Sequence, residues 1–368
     1  MKTLLFSCKI GLALSLLLNI SSYAWAGSWS SESISGMNVQ IYTPTSNPAR
    51  NNKRALMINL HGCAQTNSDL KNGGNWKPTA DKYGMVIAIP NAPGGGVIAG
   101  CWDYYGNNQT RSNKYNDNLI GLANTLKNRN SLNIDANQVY ISGLSSGSSQ
   151  SMVVGCLAPE IFAGLGLNAG PTIGTSSGEI SSVSTSLSAA RNLCNNFAGS
   201  RKSHFSTQIT SAVYGSSDYL VSQGYNQLNI DVMGGVGNPR TTIRKVNGMG
   251  HEWPAGGGPG GSYINNSLYN YPEALTTWLC NNNRRAGGSC NPTGGGGDDD
   301  DDGGGDDDLY CGRAKNIDHY NAGRAIRNGV PPYENYSAKG SYQWLAYPNT
   351  YTRLQETSAG YFVKVSSC

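Results

Sequence analysis

A serine hydroxyl attacks a carbonyl only when a base can take its proton, so the side chains to find are a serine on a constrained turn, a histidine and an orienting carboxylate. Gly143-Leu144-Ser145-Ser146-Gly147 has the spacing G-x-S-x-G, which presents a serine on a sharp strand-to-helix turn. Gly174-Thr175-Ser176-Ser177-Gly178 repeats that spacing, and context separates the two. Val139-Tyr140-Ile141 reads as a buried strand before Ser145, and the stretch through Met152, Val153, Val154, Cys156 and Leu157 reads as a helix after it. Ser176 lies between Pro171-Thr172 and a polar serine-rich run, and reads as loop.

Four histidines could supply the base. His251 stands in a glycine-flanked loop, Gly248-Met249-Gly250-His251, just after the strand-like Thr241–Val246. His61 follows another strand in Leu60-His61-Gly62-Cys63 and reads as structural, while His204 and His319 sit in contexts that offer no strand end. Asp218 follows the strand-like 209–214 and is the expected acid; Asp231 competes from within a helix-like stretch, and Glu252 is adjacent to the base in sequence and so points elsewhere. The order Ser145, Asp218, His251 is that of α/β-hydrolases and differs from chymotrypsin and subtilisin. An oxyanion needs two backbone N–H donors, and the expected pair is Ser146, following the nucleophile, and Cys63.

Such a constellation requires strands that end side by side. The β-type runs 56–60, 85–89, 139–142, 163–167, 209–214 and 241–246 alternate with helical stretches at 115–129, 148–158 and 271–279. This alternation implies an α/β domain with a mostly parallel sheet covered on both faces. It occupies residues 27–290. Residues 291–308 are expected to be a linker, because Gly294 to Asp308 contains no apolar residue that could offset the entropy of ordering. Asp298, Asp300, Asp302 and Gly303 match the first positions of a calcium loop, but its bidentate glutamate position falls on Leu309, so no metal site is expected. Residues 309–368 form a small C-terminal module with Cys311 and Cys368 near its ends, placed to be joined by a disulfide. Its aromatic residues Tyr333, Tyr336, Tyr342, Trp344, Tyr347 and Tyr351 could supply a core or a polymer-binding face.

At the other end, residues 1–26 read as a signal peptide: Lys2, an apolar stretch from Ile10 to Leu18, and small residues at Ala24 and Ala26. The apolar stretch is too short to span a bilayer, so no membrane span is expected and the chain reads as secreted. Eight cysteines then remain, in no zinc-site spacing, and disulfides are the default in an oxidising compartment. Setting aside the eight aspartates of 298–308 and the two leader lysines leaves 25 basic against 15 acidic residues. No nucleic-acid recognition motif accompanies that surplus, and nucleic acid is not an expected partner.

Taken as an ordered set, Leu60-His61-Gly62-Cys63-Ala64-Gln65, Cys101-Trp102-Asp103, 139–147, Gly215-Ser216-Ser217-Asp218-Tyr219 and Gly250-His251-Glu252-Trp253-Pro254 resemble the extracellular polyhydroxybutyrate depolymerase-type esterases, a family that also holds feruloyl and acetylxylan esterases. The resemblance implies the α/β-hydrolase fold, ester hydrolysis without metal or cofactor, Ser145, Asp218 and His251 in the triad positions, and a Cys63–Cys101 bridge. Trp102 and Trp253, inside two of the motifs, are candidates for substrate contact. One departure stands out: where the family continues its elbow with small residues, this chain has the polar run Ser148-Ser149-Gln150-Ser151. The expected substrate is poly(3-hydroxybutyrate) or its oligomers, with acylated plant polysaccharide as the alternative and a non-catalytic binding protein as a third possibility.

Overall fold

The computed structural model describes residues 27–234, 240–292 and, with short gaps, 311–366. The leader at 1–26 and the Gly/Asp-rich segment at 293–310 lie outside the described residues. The chain divides into two compact units, Met1–Gly295 and Gly296–Cys368.

The first unit is an α/β-hydrolase fold. Its strands and helices follow in the order β1 (Ser28–Ile34), β2 (Met37–Thr43), β3 (Arg54–Leu60), α1 (Asn67–Gly73), α2 (Trp76–Tyr83), β4 (Val86–Pro90), α3 (Asn116–Lys127), β5 (Ile134–Leu144), α4 (Ser146–Leu157), β6 (Gly164–Asn168), α5 (Leu187–Ala198), β7 (Ile209–Gly215), α6 (Gly224–Met233), β8 (Thr241–Val246), two short strands β9 (Trp253–Pro254) and β10 (Ile264–Asn265), and α7 (Tyr271–Asn282). The first eight strands form one sheet in the order β1-β2-β4-β3-β5-β6-β7-β8. Strand β2 runs antiparallel to both its neighbours, and every pair from β4 to β8 is parallel.

Alternation along each strand divides the core in two. In β3, Leu56, Ile58 and Leu60 join a cluster with residues of α3, α4, α5 and α6, while Met57 joins one with α1, α2 and α7. Both faces of central strands such as β3 and β4 are thus buried, which is why these two read as largely apolar runs rather than as alternating ones. The six strand runs and three helices expected from sequence all appear within a few residues of their expected limits. The N-terminal hairpin of β1 and β2 was not expected: its outer strand is largely exposed and carries the polar pattern Ser28-Trp29-Ser30-Ser31-Glu32.

The second unit contains β11 (Cys311–Lys315), α8 (Asn316–Asn321), β12 (Ala325–Asn328), β13 (Asn335–Ala338), β14 (Trp344–Ala346), β15 (Tyr351–Ser358) and β16 (Tyr361–Lys364). Two three-stranded antiparallel sheets, β11-β15-β16 and β12-β13-β14, enclose a small core of Ala325, Tyr336, Ala338, Leu345, Leu354 and Phe362. Cys311 is disulfide-bonded, while Cys368, its expected partner, lies outside the described residues.

Candidate active site

The nucleophile candidate sits at the junction of β5 and α4. Ser145 adopts φ 56° and ψ −120°, a conformation that costs a non-glycine residue energy and is held only where its surroundings over-determine it. They do so here. A Cβ on Gly143 would lie 2.4 Å from the Gly147 carbonyl carbon, and one on Gly147 would lie 2.5 Å from the His61 carbonyl oxygen, so both glycines of the motif are required by close packing. The Ser145 N–H donates to the Asn168 carbonyl at the end of β6 (2.8 Å), and the Ser145 carbonyl accepts from Ser149 N–H in α4 (3.1 Å).

The acid and base candidates meet across two adjacent strand ends. Asp218 follows β7, and His251 follows β8. His251 Nδ1–H donates to Asp218 Oδ2 at 2.8 Å. The other carboxylate oxygen accepts from Leu220 N–H and Val221 N–H, each at 3.0 Å, so the acid is pinned in its own turn and aimed at the ring. The Asp218 side chain has no exposed surface and that of His251 is 9% exposed. With Nδ1 carrying its proton toward the carboxylate, Nε2 is left as the basic nitrogen. Ser217 N–H donates to the Met249 carbonyl (2.9 Å) and Gly248 N–H to Ser216 Oγ (2.8 Å), lacing the two loops together. A Cβ on Gly215 would fall 2.1 Å from the Met249 oxygen, which explains the glycine ahead of the acid loop. Asn168 links this pair to Ser145: its carbonyl holds Ser145 N–H, and its Nδ2 donates to the Glu252 carbonyl at 2.9 Å.

The competing candidates go elsewhere. Asp231 accepts from Gln227 within α6. His61 is 2% exposed, and its two ring nitrogens are both occupied: Nδ1 donates to the Gly62 carbonyl (2.8 Å), and Nε2 accepts from Ala92 N–H (3.2 Å). Burial holds the His61 ring below the usual histidine range, consistent with a neutral structural tautomer. Ser176 is exposed at the start of a short turn, Ser177–Glu179.

The loop after β3 brings Cys63 next to Ser146. A Cys63–Cys101 disulfide joins this loop to the segment 97–101, as the family resemblance implies. Ala64 N–H donates to the Ala99 carbonyl (2.7 Å), Gly62 N–H to Gln65 Oε1 (2.9 Å), and Gln65 Nε2 to the Ser262 carbonyl (2.6 Å). The Ser146 hydroxyl accepts from the Trp102 backbone N–H at 3.3 Å and lies 3.3 Å from Cys63 Sγ. Cys63, Ser145 and Ser146 together line one cavity of about 120 Å³, with Ile98, Cys101, Tyr104, Tyr105, Pro171, Ser177 and Ile180.

Two expectations need correction. Trp102 and Trp253 are fully buried, and their indole N–H groups are already committed, Trp102 to the His61 carbonyl (3.0 Å) and Trp253 to the Gly74 carbonyl (3.1 Å). A sealed ring with its donor satisfied presents no face to a substrate, so both brace loops instead. The side chains that do line the cavity, Ile98, Tyr104, Tyr105 and Ile180, went unnoticed. Only the Tyr-Tyr pair directly after Cys101-Trp102-Asp103 offered a signal.

The polar run after the elbow also has a physical account. Ser148, Ser149, Gln150 and Ser151 are all fully buried. Ser149 Oγ donates to the Pro171 carbonyl (2.6 Å), Ser151 Oγ to the Gly147 carbonyl (2.7 Å), and Gln150 Nε2 to Asn116 Oδ1 (2.6 Å). For these three, pairing makes burial tolerable, whereas Ser148 Oγ is buried without a partner among the described residues; the Ser149 bond ties α4 to the cavity wall at Pro171.

In the second unit, Tyr336 is fully buried and belongs to the core, whereas Trp344, Tyr347 and Tyr351 are 59%, 62% and 55% exposed. Tyr333 and Tyr342 lie outside the described residues.

Comparison with known proteins agrees with the motif-based resemblance. Residues 38–205 match the family model described as "Esterase PHB depolymerase". A poly(3-hydroxybutyrate) depolymerase of Ralstonia pickettii is 40% identical over 299 residues, 70% of this chain and 61% of that protein. Acetylxylan esterase A of Emericella nidulans is 30% identical over 127 residues, 33% of this chain and 38% of that one. The chain thus spans about three-fifths of its depolymerase relative's length and less than half of the acetylxylan esterase's. Among solved structures, an acetyl xylan esterase from Aspergillus awamori superposes with a TM-score of 0.50 at 16% identity, covering 61% of this chain and 94% of that one, a likeness of fold.

Proposed function

We propose, from the match of residues 38–205 to the esterase PHB depolymerase family, that this chain is a secreted serine hydrolase cleaving the ester bonds of poly(3-hydroxybutyrate) or its oligomers. The observation that carries the reading is a strained Ser145 beside a cavity, together with a buried Asp218–His251 pair at the ends of neighbouring strands. In this reading His251 Nε2 takes the Ser145 proton as Oγ attacks the ester carbonyl. The backbone N–H groups of Cys63 and Ser146 stabilise the oxygen as it becomes negative. His251 then returns the proton to the departing alkoxide, leaving an acyl group on Ser145, and the same base activates the water that releases it. Asp218 stays ionised and holds the imidazolium that forms at each step. None of these steps calls on a metal or cofactor. Disulfides within the first unit and in Cys311 are consistent with export, and no helix among the described residues is long and apolar enough to cross a membrane.

Clearing of poly(3-hydroxybutyrate) granules, run beside acetylated xylan and a feruloyl ester, tests the substrate. Release of soluble 3-hydroxybutyrate products is expected. Turnover of acetylated xylan with intact granules would transfer the assignment to the polysaccharide esterases, which the acetylxylan relative represents.

The second unit is proposed to hold the enzyme on its polymer through Trp344, Tyr347 and Tyr351. Exposed rings of this kind are adapted to lie on an apolar surface, and tethering raises the local concentration of enzyme there. The two units have separate cores. Truncation after Gly294 should therefore leave kcat/KM on a soluble p-nitrophenyl ester within about twofold, while granule adsorption falls by about tenfold or more. Trp344→Ala in the full chain should reproduce part of the adsorption loss. Equal granule binding by full-length and truncated protein in a pull-down would remove the binding role.

A further inference from the structure

Most hydroxyls around the candidate site are spoken for. Tyr225 Oη lies 2.8 Å from the carbonyls of both Glu179 and Ser182, between which its one proton is shared. Tyr104 differs. It lines the cavity that holds Ser145 and is 2% exposed as a residue, yet its hydroxyl meets no hydrogen-bond partner among the described residues. Nor is that oxygen sealed away, as the orphan hydroxyls of Tyr115 and Tyr336 are; it keeps accessible surface. A side chain so deeply buried, on the wall of one cavity, has its remaining accessible surface in that cavity. The ring itself belongs to the apolar core, with the Tyr105 ring at a centroid distance of 4.4 Å, so the hydroxyl has a defined position.

We infer that the Tyr104 hydroxyl is a specificity-determining group: it donates a hydrogen bond to an oxygen carried by the acyl part of the substrate beyond the scissile carbonyl. That oxygen is the 3-hydroxyl at a chain end or the carbonyl of the next ester unit within a chain. The inference rests on the proposed ester-hydrolase reading and refines it, because a plain fatty acyl group offers no such acceptor. A site with a buried donor discriminates against a ligand that cannot engage it, since the donor, once desolvated, goes unpaired. Ile98, Pro171 and Ile180 add apolar wall that suits the methylene and methyl groups of a short 3-hydroxyacyl unit. Burial, with Tyr105, Tyr225 and Glu179 nearby, pushes ionisation of Tyr104 upward, so the group keeps its proton and remains a donor across the neutral range.

The test is a cycle of two enzymes and two substrates differing in one oxygen: full-length wild type and Tyr104→Phe, each on p-nitrophenyl butanoate and p-nitrophenyl 3-hydroxybutanoate. Phenylalanine keeps the ring packing and removes only the hydroxyl. The preference of the wild type for the hydroxylated ester, as a ratio of kcat/KM, should fall by about tenfold in the variant, the size expected for one lost neutral hydrogen bond. A merely structural role would lower both substrates in proportion and leave the ratio unmoved, and that result overturns the inference. Wild type alone supplies a second check, since absence of any preference for the hydroxylated ester also overturns it. Failure of the wild type on both esters would instead defeat the hydrolase reading, and this inference with it.

Discussion

Ser145→Ala and His251→Ala should each lower kcat on p-nitrophenyl acetate by about four to six orders of magnitude, and the double variant should be scarcely worse than either. The reason is that the serine and the base act as one proton-transfer unit. Without Oγ there is nothing to acylate, and without Nε2 the hydroxyl keeps its proton. Both changes are expected to leave the fold intact. Ser145 is held through its backbone, by Asn168 and Ser149, and the loop of His251 is held by bonds from Ser217 and Gly248 that do not involve the ring. Ser176→Ala is the control. It alters an exposed turn residue in the second G-x-S-x-G match and should stay within about twofold of wild type. Initial rates, read beside melting temperatures, decide the matter. An inactive Ser176→Ala, or more than about 1% activity in a pure, folded Ser145→Ala, would falsify the assignment.

The second large effect is on stability. Protein prepared from an oxidising compartment should show no titratable thiol in denaturant, and reduction should shift its unfolding midpoint steeply downward. Cys63–Cys101 and Cys156–Cys194 each span 38 residues of sequence, and Cys280–Cys290 spans 10. In the chain-entropy account the two longer loops are worth about 4 kcal/mol each and the short one nearly 3 kcal/mol, each a large fraction of the stability of an ordinary domain. Their placement adds to this: Cys156–Cys194 pins α4, the helix that follows Ser145, to α5, and Cys280–Cys290 fastens the end of α7. Reduction should also slow catalysis before the fold melts, because the Cys63–Cys101 bridge braces the loop that carries an expected oxyanion donor. Thiol titration and paired denaturation curves with and without reductant measure both effects. Two or more free thiols per chain, or coincident curves, would count against the fully paired reading.

Much of this architecture was legible along the chain, because its signals are local. Strands buried on both faces must be apolar runs, a strand-to-helix elbow must carry glycines on either side of the serine, and an acid or base must follow a strand end to reach the sheet's catalytic edge. Those constraints act within a few residues, so Ser145, Asp218 and His251 could be named as candidates and ordered before any contact was known. What tertiary structure alone decided were matters of burial and pairing. Trp102 and Trp253 look like substrate platforms in their motifs, but packing seals both rings and commits their N–H groups to His61 and Gly74. Ser148 to Ser151 stand out in the sequence only as a polar run, yet they lie in the core, where Pro171 and Asn116, brought up from elsewhere in the fold, and Gly147, one turn back in α4, accept hydrogen bonds from Ser149, Gln150 and Ser151. The pairings Cys156–Cys194 and Cys280–Cys290 depend on which helices pack together, which spacing does not encode. Tyr104 stood in plain view beside Cys101-Trp102-Asp103, but whether a hydroxyl is free or satisfied is settled by groups distant in sequence, and only the folded chain leaves this one, on the wall of the Ser145 cavity, without a partner among the described residues.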